Sequence, residues 1–218
     1  MRVGLQLRAG VGENTATLIA GRCGHRMNKF FTSISNRLNV RRLLKLGEPI
    51  RIDVGCGKTP RPGYVGCDIR PLPGIAIVSP AWAIPLPSGS VDAIYSRHMI
   101  EHASLEDAAR ILRHFYSLLK VGGELDINTP DLERTIAQAH MPGDSPYVSH
   151  VTVSNADHAL FSLFGWQTNP HDIHRWAYTE ASLAALLRNC GFADVRRIDD
   201  TESGSGPLNL RMVARKEK

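Results

Sequence analysis

The feature that most constrains this chain is a short apolar run, Ile50–Val54, that ends at once in Gly55-Cys56-Gly57. A strand running into a two-glycine turn redirects the backbone sharply and lets a ligand approach it without meeting a Cβ. Further strand-like runs follow at Tyr64–Ile69, Ile75–Val78, Val91–Ser96 and Glu124–Ile127, and then at Val195–Ile198 and Leu208–Val213. Helical segments stand between them. Ser104 opens one, with Asp107 as its capping partner, and Gly122-Gly123 stops it. Its apolar stripe reads Leu105, Ala108, Ile111, Leu112, Phe115, Leu118 and Leu119. A second helix is expected from about Asp131, and a third over Thr179–Cys190 with Thr179 as N-cap and Gly191 just past its end. Strands alternating with helices predict an α/β fold built on about seven strands, mostly parallel. The last two strands have no helix between them, which predicts an antiparallel C-terminal pair. Residues 140–178, rich in Pro, Gly, His and aromatics, are expected to form a substrate-covering insertion over the sheet's C-terminal edge.

Length and composition exclude several alternatives. At 218 residues with 43% hydrophobic and 22% charged side chains, the chain has enough material for one cored domain plus a short extension. No apolar run approaches the ~18 residues of a membrane span, so no integral membrane segment is expected. Cys23, Cys56, Cys67 and Cys190 show no C-x-x-C spacing, and the N-terminus lacks a continuous apolar stretch of the secretory kind. A cytoplasmic protein is the expectation. The net charge of +5 is unevenly placed: residues 1–48 carry nine Lys/Arg against two acids, whereas the rest carries 17 basic and 19 acidic residues. The reading is therefore a basic N-terminal extension, 1–48, ahead of a near-neutral domain, 49–218. Within the extension Phe30, Phe31, Ile34, Leu38, Leu43 and Leu44 approximate a helical stripe, interspersed with Lys29, Arg37, Arg41, Arg42 and Lys45. That amphipathic helix either packs on the domain or offers a surface to an anionic or protein partner. A near-neutral domain disfavours a duplex nucleic-acid substrate.

Open α/β sheets bind ligands beyond the carboxyl ends of their strands. Here those ends are Asp53–Thr59, Asp68, Ser79–Trp82, Ser96–His102 and Thr129–Asp131. Two phosphate cradles fail on spelling. Gly57-Lys58-Thr59 resembles the end of a P-loop, but Ile52 stands where its first glycine belongs. A dinucleotide fingerprint needs glycine at position 60, where the chain has Pro60.

The ordered set Asp53-Val54-Gly55-Cys56-Gly57, Gly66-Cys67-Asp68, Leu86-Pro87-Ser88-Gly89-Ser90-Val91-Asp92, Met99-Ile100-Glu101-His102, Leu119–Leu125 and Tyr178–Phe192 resembles the class I S-adenosylmethionine (SAM)-dependent methyltransferases. The likeness covers roughly residues 50–215 and is nearest to compact bacterial members in which the first loop runs almost directly into the second strand. It implies a Rossmann-like, doubly wound sheet and SAM as cofactor. It also implies that Gly55, Cys56 and Gly57 line the methionine part, with Asp53 fixing its ammonium directly or through the loop. Asp68 is then the ribose ligand and Ile69 packs on adenine. Ser96 and Arg97 offer backbone groups to the methionine. The family often has an acid after the third strand; here Ser79 or Pro80 takes that place, leaving Ala81 and Trp82 to hold adenine.

Methyl transfer to a hydroxyl needs placement, desolvation and a base near neutral pH. His98 and His102 follow the fourth strand and are the candidate bases, with Glu101 adjacent. The segment 169–176 concentrates further chemistry. His174, Arg175 and Trp176 are candidate acceptor contacts, and a metal at the H-x-x-H pair His171/His174 is not expected, for want of further ligands at fixed spacing. No Asn/Asp-Pro-Pro-Tyr/Phe segment or Pro-Cys nucleophile follows the fourth strand, which argues against nucleic-acid amino or pyrimidine carbon methylation. The expected function is methylation of a small-molecule or glycan acceptor, at oxygen. The alternatives are a nicotinamide-dependent oxidoreductase, a methyltransferase-like non-catalytic or partner-dependent subunit, and a methyltransferase that acts on RNA through the basic extension.

Overall fold

The computed structural model describes residues 34–146, 152–198 and 208–217. Most of the basic extension, residues 1–33 with Lys29, Phe30 and Phe31 of the expected stripe, lies outside them. A helix over 34–46, α1, leads to β1 (Arg51–Val54), β2 (Val65–Asp68), β3 (Ile77–Val78) and β4 (Val91–Arg97). Then come α2 (Leu105–Leu118), β5 (Leu119–Pro130), α3 (Leu132–Ala139), α4 (Asn155–Phe164), α5 (Glu180–Asn189), β6 (Ala193–Ile198) and β7 (Asn209–Arg215). The seven strands form one sheet in the order β3-β2-β1-β4-β5-β7-β6. Every pairing from β3 to β5 is parallel, whereas β7 is antiparallel to both β5 and β6. The predicted α/β sheet and its antiparallel terminal pair are as expected.

The parallel crossover from β1 to β2 contains no helix. Its loop is pinned instead by polar contacts: the Arg61 amide donates to Asp53 Oδ2 at 2.8 Å, and the Arg61 guanidinium lies 4.4 Å over the Tyr95 ring and 3.4 Å from Asp126. Pro60 packs so close to Gly66 that a Cβ there would sit 2.7 Å from the proline ring, so the second residue of β2 must be a glycine. On the other face of the sheet, strand side chains such as Ile52, Ile94, Leu125, Ile127, Leu210 and Met212 form the core with Leu112 and Phe115 of α2 and Leu187 of α5. Alternation along β5 and β7 puts Asp126 and Arg211 on the face away from that core, where they form a two-point ion pair at 3.0 and 2.7 Å.

Four local expectations need correction. In α1 the buried positions are Asn36, Val40 and, in part, Leu43, whereas Ile34, Leu38 and Leu44 are exposed. The reason is polar. Asn36 donates to the Val78 carbonyl at 2.8 Å and accepts the Val78 amide at 3.0 Å, so its side chain closes the free edge of β3. Leu105 is likewise exposed, since it opens α2 beside its Ser104 cap, before the stripe turns inward. Gly122-Gly123 does not stop α2; the helix ends at Leu118 and both glycines lie within β5. Finally, residues 140–178 hold a regular helix, α4, whose cap Ser154 accepts the Asp157 amide at 3.0 Å.

Phe115 is fully buried between helix and sheet, and Leu105 is not. Phe115→Ala is therefore expected to lower stability by about 3–5 kcal/mol, and Leu105→Ala by no more than about 0.5 kcal/mol. Urea unfolding monitored by circular dichroism checks both. Equal losses would show that α2 is seated in another register.

Candidate active site

Beyond the carboxyl ends of β1, β2 and β4 lies a cleft of about 440 Å3. Its floor is the turn after β1. Gly55 has φ +76°, its amide donates to the Cys67 carbonyl at 2.8 Å, and a Cβ there would meet Met99 Cγ at 2.5 Å. Both the conformation and the close approach require glycine. Gly57, at φ +62°, turns its amide to the Asp68 carboxylate at 3.0 Å. Asp68 and Ile69 form one wall, and Ala81 and Trp82 form another. Ser79 also lines the cleft, and its hydroxyl donates to the Ala83 carbonyl at 2.8 Å, holding the short 3-10 turn Ala81–Ala83 that presents Trp82.

Asp68 is buried and bonded on both oxygens. Besides the Gly57 amide it accepts the Arg70 amide at 2.9 Å, Arg70 Nε at 3.0 Å and Arg70 Nη2 at 3.2 Å. Burial pushes its carboxyl up, but the bonds from Arg70 and Gly57 outweigh burial and hold it below its ordinary value. Arg70 was no part of the expected site.

Other expected residues stand behind the cleft rather than on its wall. Asp53 is buried, and burial holds its carboxyl above its ordinary value; its bond to the Arg61 amide fixes the loop. The Cys56 thiol, pushed up to about 11 by burial, faces the Cys67 and Gly57 carbonyls. Ser96 is fully buried and donates to the Val54 carbonyl at 3.1 Å, tying β4 to β1. Arg97 is exposed beyond the cleft lining.

The strand β4 ends in an unusual turn. His98 adopts φ +49°, a left-handed conformation costly for a non-glycine residue. Its amide donates to the Asn128 carbonyl at 2.9 Å, and its Nδ1 lies 3.0 Å from Glu101 Oε1. Glu101 is fully enclosed: Oε2 accepts the Thr129 hydroxyl at 3.1 Å, and its backbone carbonyl accepts the amides of Arg175 at 2.7 Å and Trp176 at 3.1 Å. Burial pushes the Glu101 carboxyl up, yet the bond from His98 and nearby positive charge hold it below its ordinary value. An ionised carboxylate only accepts, so Nδ1 carries the shared proton and Nε2 is not engaged by Glu101. His98 and His102 both line the cleft.

Opposite them, Asn169–Ile173 and Arg175 form the remaining wall. His102 Nδ1 faces the Ile173 carbonyl at 3.2 Å and so anchors that wall. His174 points inward instead: its Nδ1 is 2.9 Å from the Ser162 carbonyl and its ring stacks edge-to-face on His102 with centroids 4.8 Å apart. Trp176 lies behind the cleft, around a small pocket with Glu101 and Thr129. His171 and His174 thus do not act as a pair. A different trio, Glu101, His102 and His174, brings ligand-type atoms within 4.8 Å of one another. That spacing is loose for a tetrahedral ion with bonds of about 2.0–2.1 Å, and both Glu101 oxygens are already engaged.

Comparison with known proteins agrees with this geometry. A family model described as a methyltransferase domain matches residues 30–197. The chain belongs to that methyltransferase family. Two solved structures share its fold: a SAM-dependent methyltransferase from Archaeoglobus fulgidus (19% identity, 84% of this chain and 95% of that one, TM-score 0.51) and one from Mesorhizobium loti (20% identity, 78% and 92%, TM-score 0.50). No curated protein sequence matches. The protein is thus an enzyme of the SAM-dependent methyltransferase class, and its cleft fits that cofactor. A glycine floor that a Cβ would fill and a carboxylate at the end of β2 both face one space. Among the described residues no helix is long and apolar enough to cross a membrane.

Two outcomes follow for this methyltransferase. Arg70 competes for the carboxylate expected to receive the ribose, and its guanidinium is 41% exposed. Such a pair is worth about 1 kcal/mol at most, so Arg70→Ala should tighten S-adenosylhomocysteine binding by up to about fivefold in calorimetry. Weaker binding would instead make Arg70 a ligand. Separately, burial holds the His114, His158 and His174 imidazoles below their ordinary values, against an opposing carbonyl bond at His114 and the charge of Glu101 at His174. The unfolded chain then binds protons that the folded one does not, so stability declines as pH falls through about 6.5. The urea midpoint should drop between about pH 7.5 and pH 5.5; a flat profile would contradict this.

Proposed function

We propose that this methyltransferase methylates a hydroxyl oxygen of a small-molecule or glycan acceptor, with His98 as general base. The observation that carries the reading is the His98–Glu101 pair: a strained histidine on the cleft wall, aligned through Nδ1 by a buried carboxylate. When bound, SAM supplies a methyl group activated by a sulfonium. The chain's own residues do the rest. Gly55, Asp68, Ile69, Ala81 and Trp82 hold the cofactor; Asp53, Cys56, Gly57 and Ser96 keep the loop and strand ends in place behind them. His98 Nε2 takes the acceptor's hydroxyl proton as the oxygen attacks, and Glu101 stabilises the resulting imidazolium. His102 positions the facing wall through Ile173, with His174 and Trp176 supporting it from behind and Arg175 reaching the acceptor. Free thiols at Cys56, Cys67 and Cys190 support a reducing, cytoplasmic setting.

The first experiment is a calorimetric titration with S-adenosylhomocysteine, with NAD as control, followed by methyl transfer from labelled SAM to a panel of hydroxyl compounds. Binding of the former alone supports the cofactor assignment; binding of NAD alone selects the oxidoreductase alternative. His98→Asn should lower kcat by about 10²–10⁴-fold while leaving S-adenosylhomocysteine affinity intact. An unchanged kcat would place the base elsewhere.

A further inference from the structure

We infer that the acceptor is an anion, gripped through a carboxylate or phosphate group by Arg175. The inference rests on the methyl-transfer reading above and names the class of molecule it acts on. It follows from which polar groups of the cleft already have partners. Every carboxylate on its wall is engaged within the protein: Asp68 by Arg70 and Gly57, Asp107 by the Ser104 hydroxyl at 2.9 Å, and Asp172 by the Thr168 hydroxyl at 2.9 Å. Two donors on the same wall have none. Among the described residues the Arg175 guanidinium and the His171 ring make no hydrogen bond, ion pair or ring contact. A cleft whose carboxylates are all engaged and which keeps an open guanidinium is completed by a negative group on the ligand. A guanidinium fork suits the paired oxygens of a carboxylate or phosphate.

The placement of Arg175 is fixed as well. Its amide donates to the backbone carbonyl of Glu101 at 2.7 Å, and the side chain of the same Glu101 holds His98 at 3.0 Å. Anchor and base are therefore tied to one buried residue, from its main chain and its side chain. That arrangement sets the separation between the anion and the hydroxyl to be methylated, so Arg175 selects among hydroxyl compounds as well as binding them.

The test uses the full chain, first saturated with S-adenosylhomocysteine. Failure at that step would overturn the methyltransferase site itself. Inorganic phosphate and acetate are then titrated separately at constant ionic strength, against wild type, Arg175→Gln and Arg175→Lys, with binding followed by calorimetry. Saturable binding of either anion to wild type, weakened about tenfold or more in Arg175→Gln and less in Arg175→Lys, supports the inference. Phosphate alone points to a phosphorylated acceptor and acetate alone to a carboxylic one. No saturable binding of either anion overturns the inference and leaves the cofactor site standing. Equal binding by Arg175→Gln also overturns it. So does a loss of S-adenosylhomocysteine affinity in that variant, which would give Arg175 to the cofactor. Arg175 is exposed, so a folded variant is expected, and its circular dichroism spectrum confirms that.

Discussion

One buried carboxylate, that of Glu101, holds the reactive end of this molecule together. Its two oxygens engage His98 and Thr129, from β4 and β5, and its backbone carbonyl engages the amides of Arg175 and Trp176 across the cleft. A carboxylate in a site this enclosed is tolerable only while its bonds are complete. Completing them draws in a strand end, a neighbouring strand and the far wall. The strained backbone of His98 belongs to the same economy. Its left-handed conformation persists because the Asn128 carbonyl and the Glu101 side chain both fix it, one through the amide and one through the ring.

The rest of the fold shows what a parallel sheet needs when a crossover helix is left out. The β1–β2 loop crosses one face of the sheet, and Arg61 does there what a helix would do: it covers Tyr95 with its guanidinium and pairs with Asp126. The loop's amide bond to Asp53 explains why that acid is needed although it does not reach the cleft. At the sheet edge the Asn36 amide pairs with both backbone groups of Val78 and closes a strand too short to protect itself.

Much of this was legible in the sequence, for reasons tied to period and spelling. Strand runs, the Ser104 and Thr179 caps and the glycine turn are local signals, and they placed the strands, two of the helices and the turn that floors the cleft. What escaped was set by side-chain contacts that period and spelling do not encode. The orientation of α1 follows Asn36, bonded to both backbone groups of Val78, and Asn39, which donates to the Ala76 carbonyl at 2.7 Å, and not the apolar stripe. Arg70 escaped because nothing local says that it folds back onto Asp68 two residues earlier. The α4 helix was readable: Ser154 followed three residues later by Asp157 is the same signal as at Ser104 and Asp107. His174 and Trp176 share their segment with Arg175, but alternation along an extended chain turns only Arg175 to the cleft.

The missing acid after β3 then has a structural explanation. Ser79 sits at the end of β3, and its hydroxyl is committed to the Ala83 carbonyl, shaping the turn that carries Ala81 and Trp82. A longer acidic side chain in that buried position would have to give up this bond or find another partner for its charge. The turn brings an indole to the cleft instead, and Arg110 lies 5.3 Å from the centroid of that ring, helping to fix its plane. In the proposed cofactor site an adenine would meet an aromatic surface and backbone groups, which recognise shape and stacking more than a particular exocyclic amine. On that proposal, selectivity falls to the ribose and methionine ends, which would face Asp68 and the glycine floor, both fixed by close contacts.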